Sequence, residues 1–256
     1  MILVKIGGSV ISDKTRKFHF RAEVVKRIAY EISRFFPEEK FIVVHGGGSF
    51  GHPLAQKFRI RDGLKDYSSR HGFVVTHLAM VDLASRIAKC FLEQHVPGFP
   101  ISSSSVFITS RGKIVSGYLN SVEEAIRREF VPILFGDVSF DVEKGIEIVS
   151  GDEIMVYLAK HFKPEKVIFL MDVDGLYTKF PGGELIREIS ASELKELLTK
   201  LEGSAGIDVT GGIKKKLEAV SELVHYTEEV WLINGLVKDR LSMAIVGNGI
   251  GTIVRP

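Results

Sequence analysis

The feature that most constrains this 256-residue chain is a set of short, unbroken apolar runs. They lie at residues 2–6, 41–45, 131–135, 166–171, 230–233 and 252–254, and are rich in Val, Ile, Leu and Phe. A strand buried on both faces reads in this way, and such strands belong to a parallel sheet covered on each side. Helical patterns at about 21–36, 68–95, 151–162, 190–202, 213–226 and 238–246 separate the runs. This alternation predicts an α/β sandwich. The region 106–149 differs, because "RGKIVSGY" and "DVEKGIEIV" read as β-hairpins with glycine in or near their turns. With no linker or repeat in view, a soft lobe boundary is placed after about residue 165. It gives an N-terminal lobe (1–165) and a C-terminal lobe (166–256) of one continuous domain.

In the long helical pattern, Phe73, His77, Met80, Ala84, Ile87 and Phe91 recur at three- and four-residue steps and predict one buried stripe. His77 on that stripe reads as a hydrogen-bonded core residue rather than a ligand. The 34 basic and 32 acidic residues leave a formal charge of only +2, so no global field points to nucleic acid or a membrane surface. Any anion site must be local. Cys90, the only cysteine, excludes an internal disulfide and a multi-cysteine zinc site, and fits a reducing compartment. The chain opens directly on a strand-like segment, and no stretch approaches 18 apolar residues. A soluble cytoplasmic protein is expected.

"VVHGGGSFGHPLA", residues 43–55, carries Gly46, Gly48 and Gly51 in the G-x-G-x-x-G spacing of a dinucleotide loop. That loop needs an acidic strand end about 20 residues on, to hold a ribose. The candidate, Asp66, lies in the turn-like "RDGLKDYSS" before a long helix, so the dinucleotide reading lacks its context. Glycines between a buried strand and a helix start still direct backbone N–H groups and a positive helix end into one place, which makes an anion site.

Three further segments support that reading. "LVKIGGSVISDK" (3–14) is a second strand-to-glycine turn, with Lys5 inside the strand and Lys14 beyond it. No G-x-x-x-x-G-K-[ST] occurs, so the chain is not a P-loop ATPase. "DVTGGIKKKLEAV" (208–220) opens a helix whose stripe, Ile213, Leu217, Val220 and Val224, leaves Lys216 bordering the core and Lys215 facing away. In "IVSGDEIMVYLA" (148–159), Ser150 and Glu153 make a capping box, and Asp152 either complements the helix dipole or orients lysines.

"VKIGGS", "HGGGSFGH", "SGD", "MDVDGLYT" and "TGGIKKKLEA", in that order over nearly the whole chain, resemble the amino acid kinase superfamily, and within it the isopentenyl phosphate kinases. The fosfomycin kinases share the histidine. The resemblance implies an open three-layer αβα sandwich around a mainly parallel sheet, a homodimer, ATP on the C-terminal lobe and an acceptor on the N-terminal lobe. It implies ATP-dependent phosphorylation of isopentenyl phosphate in isoprenoid biosynthesis, with Mg²⁺ carried by the nucleotide and no metal site of the protein's own. By the same resemblance, Lys5, Lys14 and Lys216 contact the transferring phosphoryl region, with Gly7, Gly8, Ser9 and Gly212 on the ATP phosphates. Gly47, Gly48, His52 and Gly151 hold the acceptor phosphate, and Asp152 positions the lysines. Asp172, Asp174, Gly175, Tyr177 and Lys179 lie near ATP, although "KFPGG" replaces the family's usual "DP" after "LYT".

A five-carbon prenyl tail needs an apolar pocket free of unpaired donors, for which the long helix offers Phe73 and Met80. A phosphate monoester has a second pKa of about 6, so its attacking oxygen needs no general base at neutral pH. His52 therefore reads as a donor to the acceptor phosphate. A fosfomycin-type phosphonate kinase and a non-catalytic nucleotide-binding protein on the same fold are the alternatives.

Overall fold

The computed structural model describes residues 1–13, 15–179, 182–203 and 211–256. The chain begins with β1 (Ile2–Ile6), α1 (Gly8–Ile11), α2 (Ala22–Ser33), β2 (Phe41–His45), α3 (Gly48–Lys57) and α4 (Tyr67–Leu92). It continues through β3 (Gly98–Pro100), α5 (Ser103–Val106), β4 (Phe107–Ser110), β5 (Lys113–Gly117), α6 (Asn120–Arg127), β6 (Val131–Phe135), β7 (Asp137–Asp141), β8 (Gly145–Val149) and α7 (Gly151–Phe162). The remainder is β9 (Lys166–Met171), β10 (Glu188–Ser190), α8 (Ala191–Gly203), α9 (Gly211–Leu223), β11 (Glu229–Asn234), α10 (Arg240–Ile245) and β12 (Thr252–Arg255).

All six apolar runs are strands of one eight-stranded sheet, ordered β10-β12-β11-β9-β1-β2-β6-β3. Only the β11–β12 pair is antiparallel. Alternate side chains of each strand enter opposite layers. Val4, Ile6, Val43, Ile168 and Ile233 pack with α2, α4 and α10, while Leu3, Val44, Phe169 and Leu232 pack with α6, α7 and α9. The predicted open αβα sandwich is the observed one, and this parity decides where Lys5 points. It shares Leu3's face, so its buried side chain enters the layer of α7 and α9.

The two hairpins form a second sheet, β5-β4-β7-β8, closed by a parallel β4–β7 pair. Arg111 and Gly112 both have positive φ, 50° and 78°, as a two-residue hairpin turn of this twist requires. Asp66, weighed above as a ribose ligand, caps α4 instead. Its carboxylate accepts from Ser69 N at 2.9 Å, and Ser69 Oγ accepts from Asp66 N at 3.0 Å.

Two local expectations are corrected. Ser150 Oγ accepts from Glu153 N at 3.0 Å, but Glu153 does not complete a capping box. Its carboxylate turns to Lys113 Nζ (2.8 Å) and the Ile114 N–H (3.2 Å), tying α7 to β5. The buried line of α4 runs Gly72, Thr76, Met80, Leu83, Ala84, Ile87 rather than through Phe73 and His77. Phe73 joins a small cluster with Ile60, Val138 and Ile146. His77 is hydrogen-bonded as expected, but only half-buried; its Nδ1 lies 2.7 Å from Asp137 Oδ2.

Candidate active site

Four neighbouring parallel strands, β9, β1, β2 and β6, end at one place, and a cavity of about 710 Å³ opens beyond their carboxyl ends. The chain leaves β1 toward β2 and β6 on one side, and reaches β9 and β11 on the other. This is the switch point at which open α/β sheets bind ligands. Each strand delivers its own lining: Gly7 and Gly8 from β1, Gly46 and Gly47 from β2, Gly136 from β6, and Asp172 from β9.

The glycines are required by close backbone approach. A Cβ on Gly8 would lie 2.7 Å from Gly48 N, so the two predicted anion loops touch main chain to main chain. One on Gly136 would lie 2.8 Å from Gly151 N, which brings the start of α7 against the end of β6. Gly48 has φ +47°, and a Cβ there would strike the Ser12 hydroxyl. That hydroxyl accepts from Ser49 N at 2.9 Å and donates to Gly8 O at 2.8 Å.

Against these loops stands the charged centre. Lys5 Nζ lies 3.2 Å and Lys216 Nζ 3.6 Å from the same oxygen of Asp152, the second residue of α7. Lys5 pairs in register with Phe169 of β9, and Lys216 Nζ sits 5.0 Å above that ring, a cation–π contact. A Cβ on Gly151 would strike Lys5 Cε, so glycine at this position admits the lysine. Burial pushes the Asp152 carboxyl up, but Lys5 and Lys216 outweigh it and hold the group below the usual aspartate range. Burial lowers the Lys216 ammonium; Asp152 opposes that shift and Lys5 adds to it. The result is one carboxylate fixing two cations that carry positive charge beyond its own neutralising capacity, beside two backbone N–H loops. Such a site receives anions.

His52 in the second turn of α3 lines the cavity, as do Ser9, Gly151 and Met80. The buried His45 is a different matter. Burial takes its pKa down to about 3, so it is a neutral packing group stacked on Phe135. Phe73 is not among the cavity-lining residues, and Lys14 lies outside the described residues. Asp174, Gly175, Tyr177 and Lys179 form the excursion after β9, apart from the lining. There Tyr177 OH donates to Asp174 Oδ2 at 3.3 Å, and Arg240 lies 3.8 Å from Asp174 Oδ1. Gly212 opens α9. Sequence reasoning missed Gly136, Asp137 and Thr76, which line the cavity. The signal for Gly136 was present, a glycine directly after a buried run, as at Gly7.

Residues 1–234 match the amino acid kinase family. The isopentenyl phosphate kinase of Methanocaldococcus jannaschii is 31% identical, covering 98% of this chain and 97% of its own. That of Thermoplasma acidophilum is 33% identical over the full length of both. A crystal structure of the T. acidophilum isopentenyl phosphate kinase product complex covers the whole of both chains with a TM-score of 0.83 and 31% identity. A substrate complex of an isopentenyl phosphate kinase does so with a TM-score of 0.82 and 30% identity.

Proposed function

We propose that this chain, which belongs to the amino acid kinase family, transfers the γ-phosphoryl group of ATP to isopentenyl phosphate, giving isopentenyl diphosphate. The observation that carries the reading is Asp152, held between lysines from β1 and α9 where two glycine loops meet. Phosphoryl transfer requires alignment and charge neutralisation more than covalent assistance from the protein. Lys5 and Lys216, joined by Lys14, neutralise the transferring group, and Asp152 keeps the first two in position. Gly47, Gly48, Gly151 and His52 hold the acceptor phosphate on the 1–165 lobe. Gly7, Gly8 and Ser9 from the 1–165 lobe and Gly212 from the 166–256 lobe hold nucleotide phosphates, and Asp172, Asp174, Gly175, Tyr177 and Lys179 of the 166–256 lobe hold the nucleoside side. The glycine cradle and the Lys216 ammonium suit a polyphosphate, and Mg²⁺ arriving with it supplies further neutralisation.

No base is needed. The acceptor dianion supplies its own deprotonated oxygen, so His52 donates rather than abstracts. Ala55, Met80, Val138, Ile148 and Val149 give the cavity an apolar stretch that suits a prenyl tail better than a polar phosphonate. A purely binding protein would not need two lysines gathered on one buried carboxylate, an arrangement costly to desolvate. Initial rates with Mg-ATP and a panel of isopentenyl phosphate, dimethylallyl phosphate, fosfomycin and nucleoside monophosphates test the reading. Turnover confined to fosfomycin would overturn it. The proposal includes a homodimer through α4, which exposes Val74, Leu78, Val81 and Leu92. A monomeric mass by light scattering would remove that part. It also places the enzyme in the cytoplasm, in keeping with Cys90 as a free, buried thiol.

A further inference from the structure

Beside the apolar stretch that would take the tail lies one buried hydroxyl without a partner. Thr76 lines the cavity, is 3% exposed, and its hydroxyl has no hydrogen-bond partner among the described residues. It lies one helical turn, about 6 Å, before Met80 on α4. Met80 marks the phosphate end of the pocket, because a Cβ on Gly47 or Gly51 would lie 3.3 or 2.7 Å from its sulfur. Thr76 therefore stands farther along the tail than the acceptor phosphate. Asp137 belongs to the same lining, but its side chain is wholly buried. Its carboxylate is taken up by His77 Nδ1 at 2.7 Å and by Val138 N at 2.8 Å, which leaves the Thr76 hydroxyl as the unpartnered group. A buried hydroxyl without a partner is costly, and a purely hydrocarbon tail leaves it so.

We propose that Thr76 sets acceptor specificity, and that the enzyme also phosphorylates five-carbon monophosphates bearing a tail hydroxyl. This rests on the kinase reading above. The tail hydroxyl would complete the hydrogen bonding of Thr76. The chemistry at the other end is unchanged. A non-bridging oxygen of the acceptor dianion forms a bond to the γ-phosphorus, the β,γ-bridging P–O bond breaks, and its electron pair leaves with ADP. No proton moves in that step, and the carbon-bound hydroxyl is a spectator.

The test compares isopentenyl phosphate with its hydrate, 3-hydroxy-3-methylbutyl phosphate, in the wild type, Thr76→Val and Thr76→Ser. A hydrophobic pocket disfavours an added hydroxyl by about 100-fold. The wild type is expected to use the two phosphates with kcat/KM values within about tenfold of each other. In Thr76→Val the ratio of hydrate to isopentenyl kcat/KM falls about tenfold or more, whereas Thr76→Ser keeps it. A wild-type preference of about 100-fold for isopentenyl phosphate, or an equal ratio in wild type and Thr76→Val, overturns the inference. If Thr76→Val does not fold, the wild-type ratio decides alone. Absence of turnover with both phosphates overturns the kinase reading and this inference together.

Discussion

Replacing Asp152 with Asn keeps the shape of the charged centre and removes the carboxylate that Lys5 and Lys216 share. At 3.2 and 3.6 Å from the two ammonium groups, and at an effective dielectric of about 20, each attraction is worth about 5 kcal/mol before desolvation and lysine–lysine repulsion are subtracted. Breaking a buried ion pair from one side costs about 3–5 kcal/mol, and urea unfolding should register a loss in that range. Catalysis should fall by about 10²–10³ in kcat, the effect of removing one preorganised electrostatic group.

The pH dependence gives a sharper reading. Asp152 now holds up an ammonium that burial lowers. Without it Lys216 loses its proton at lower pH, so the alkaline limb of kcat moves down the pH scale. Stability responds at the acid end. The folded pKa of Asp152 lies below its ordinary 3.8, so its contribution is complete above that value and is lost as pH falls through the lowered one. The Asn variant lacks this acid-dependent component. Wild-type kcat with an unmoved alkaline limb would refute the positioning role of Asp152.

His52→Ala should raise the acceptor KM or lower kcat/KM by about 10²–10³ while leaving the KM for ATP nearly unchanged. Its acid limb, near pH 6, should persist because it belongs to the acceptor phosphate, and steady-state profiles in both enzymes check this. Gly136→Ala places a methyl 2.8 Å from Gly151 N and should displace the start of α7, lowering kcat by about 100-fold with the fold intact by circular dichroism. Glu31→Gln acts far from the chemistry. Glu31 is 1% exposed, lies 2.7 Å from Arg27 and accepts from Ser242 N at 2.9 Å, so denaturant titration should show a loss of about 3–5 kcal/mol.

The main sheet was legible because each apolar run is short, continuous and bounded. The segments 2–6, 41–45, 131–135 and 166–171 are strands with those limits. The short β3 and β10 were missed, since three residues set no periodicity and their placement comes from sheet edges. Lys216 could be chosen over Lys215 from helical phase alone, and the structure has Lys215 exposed and Lys216 beside Asp152. Thr76 could not be found in this way. A hydroxyl on the buried line of α4 breaks the apolar pattern, which drew the stripe through Phe73 and His77 instead. Nor does sequence spacing reveal that Gly8 meets Gly48 or that Gly136 meets Gly151, since those contacts join loops brought together by β-strand order.

A crystal structure with isopentenyl phosphate and a non-hydrolysable ATP analogue would show where both anions bind. The acceptor phosphate should lie on Gly47, Gly151 and His52, and the terminal phosphate of the analogue on Gly8 and Lys216, the two facing each other beside Asp152. Either anion bound away from the carboxyl ends of β1, β2, β6 and β9, with the Lys5–Asp152–Lys216 centre touching neither, would contradict this placement.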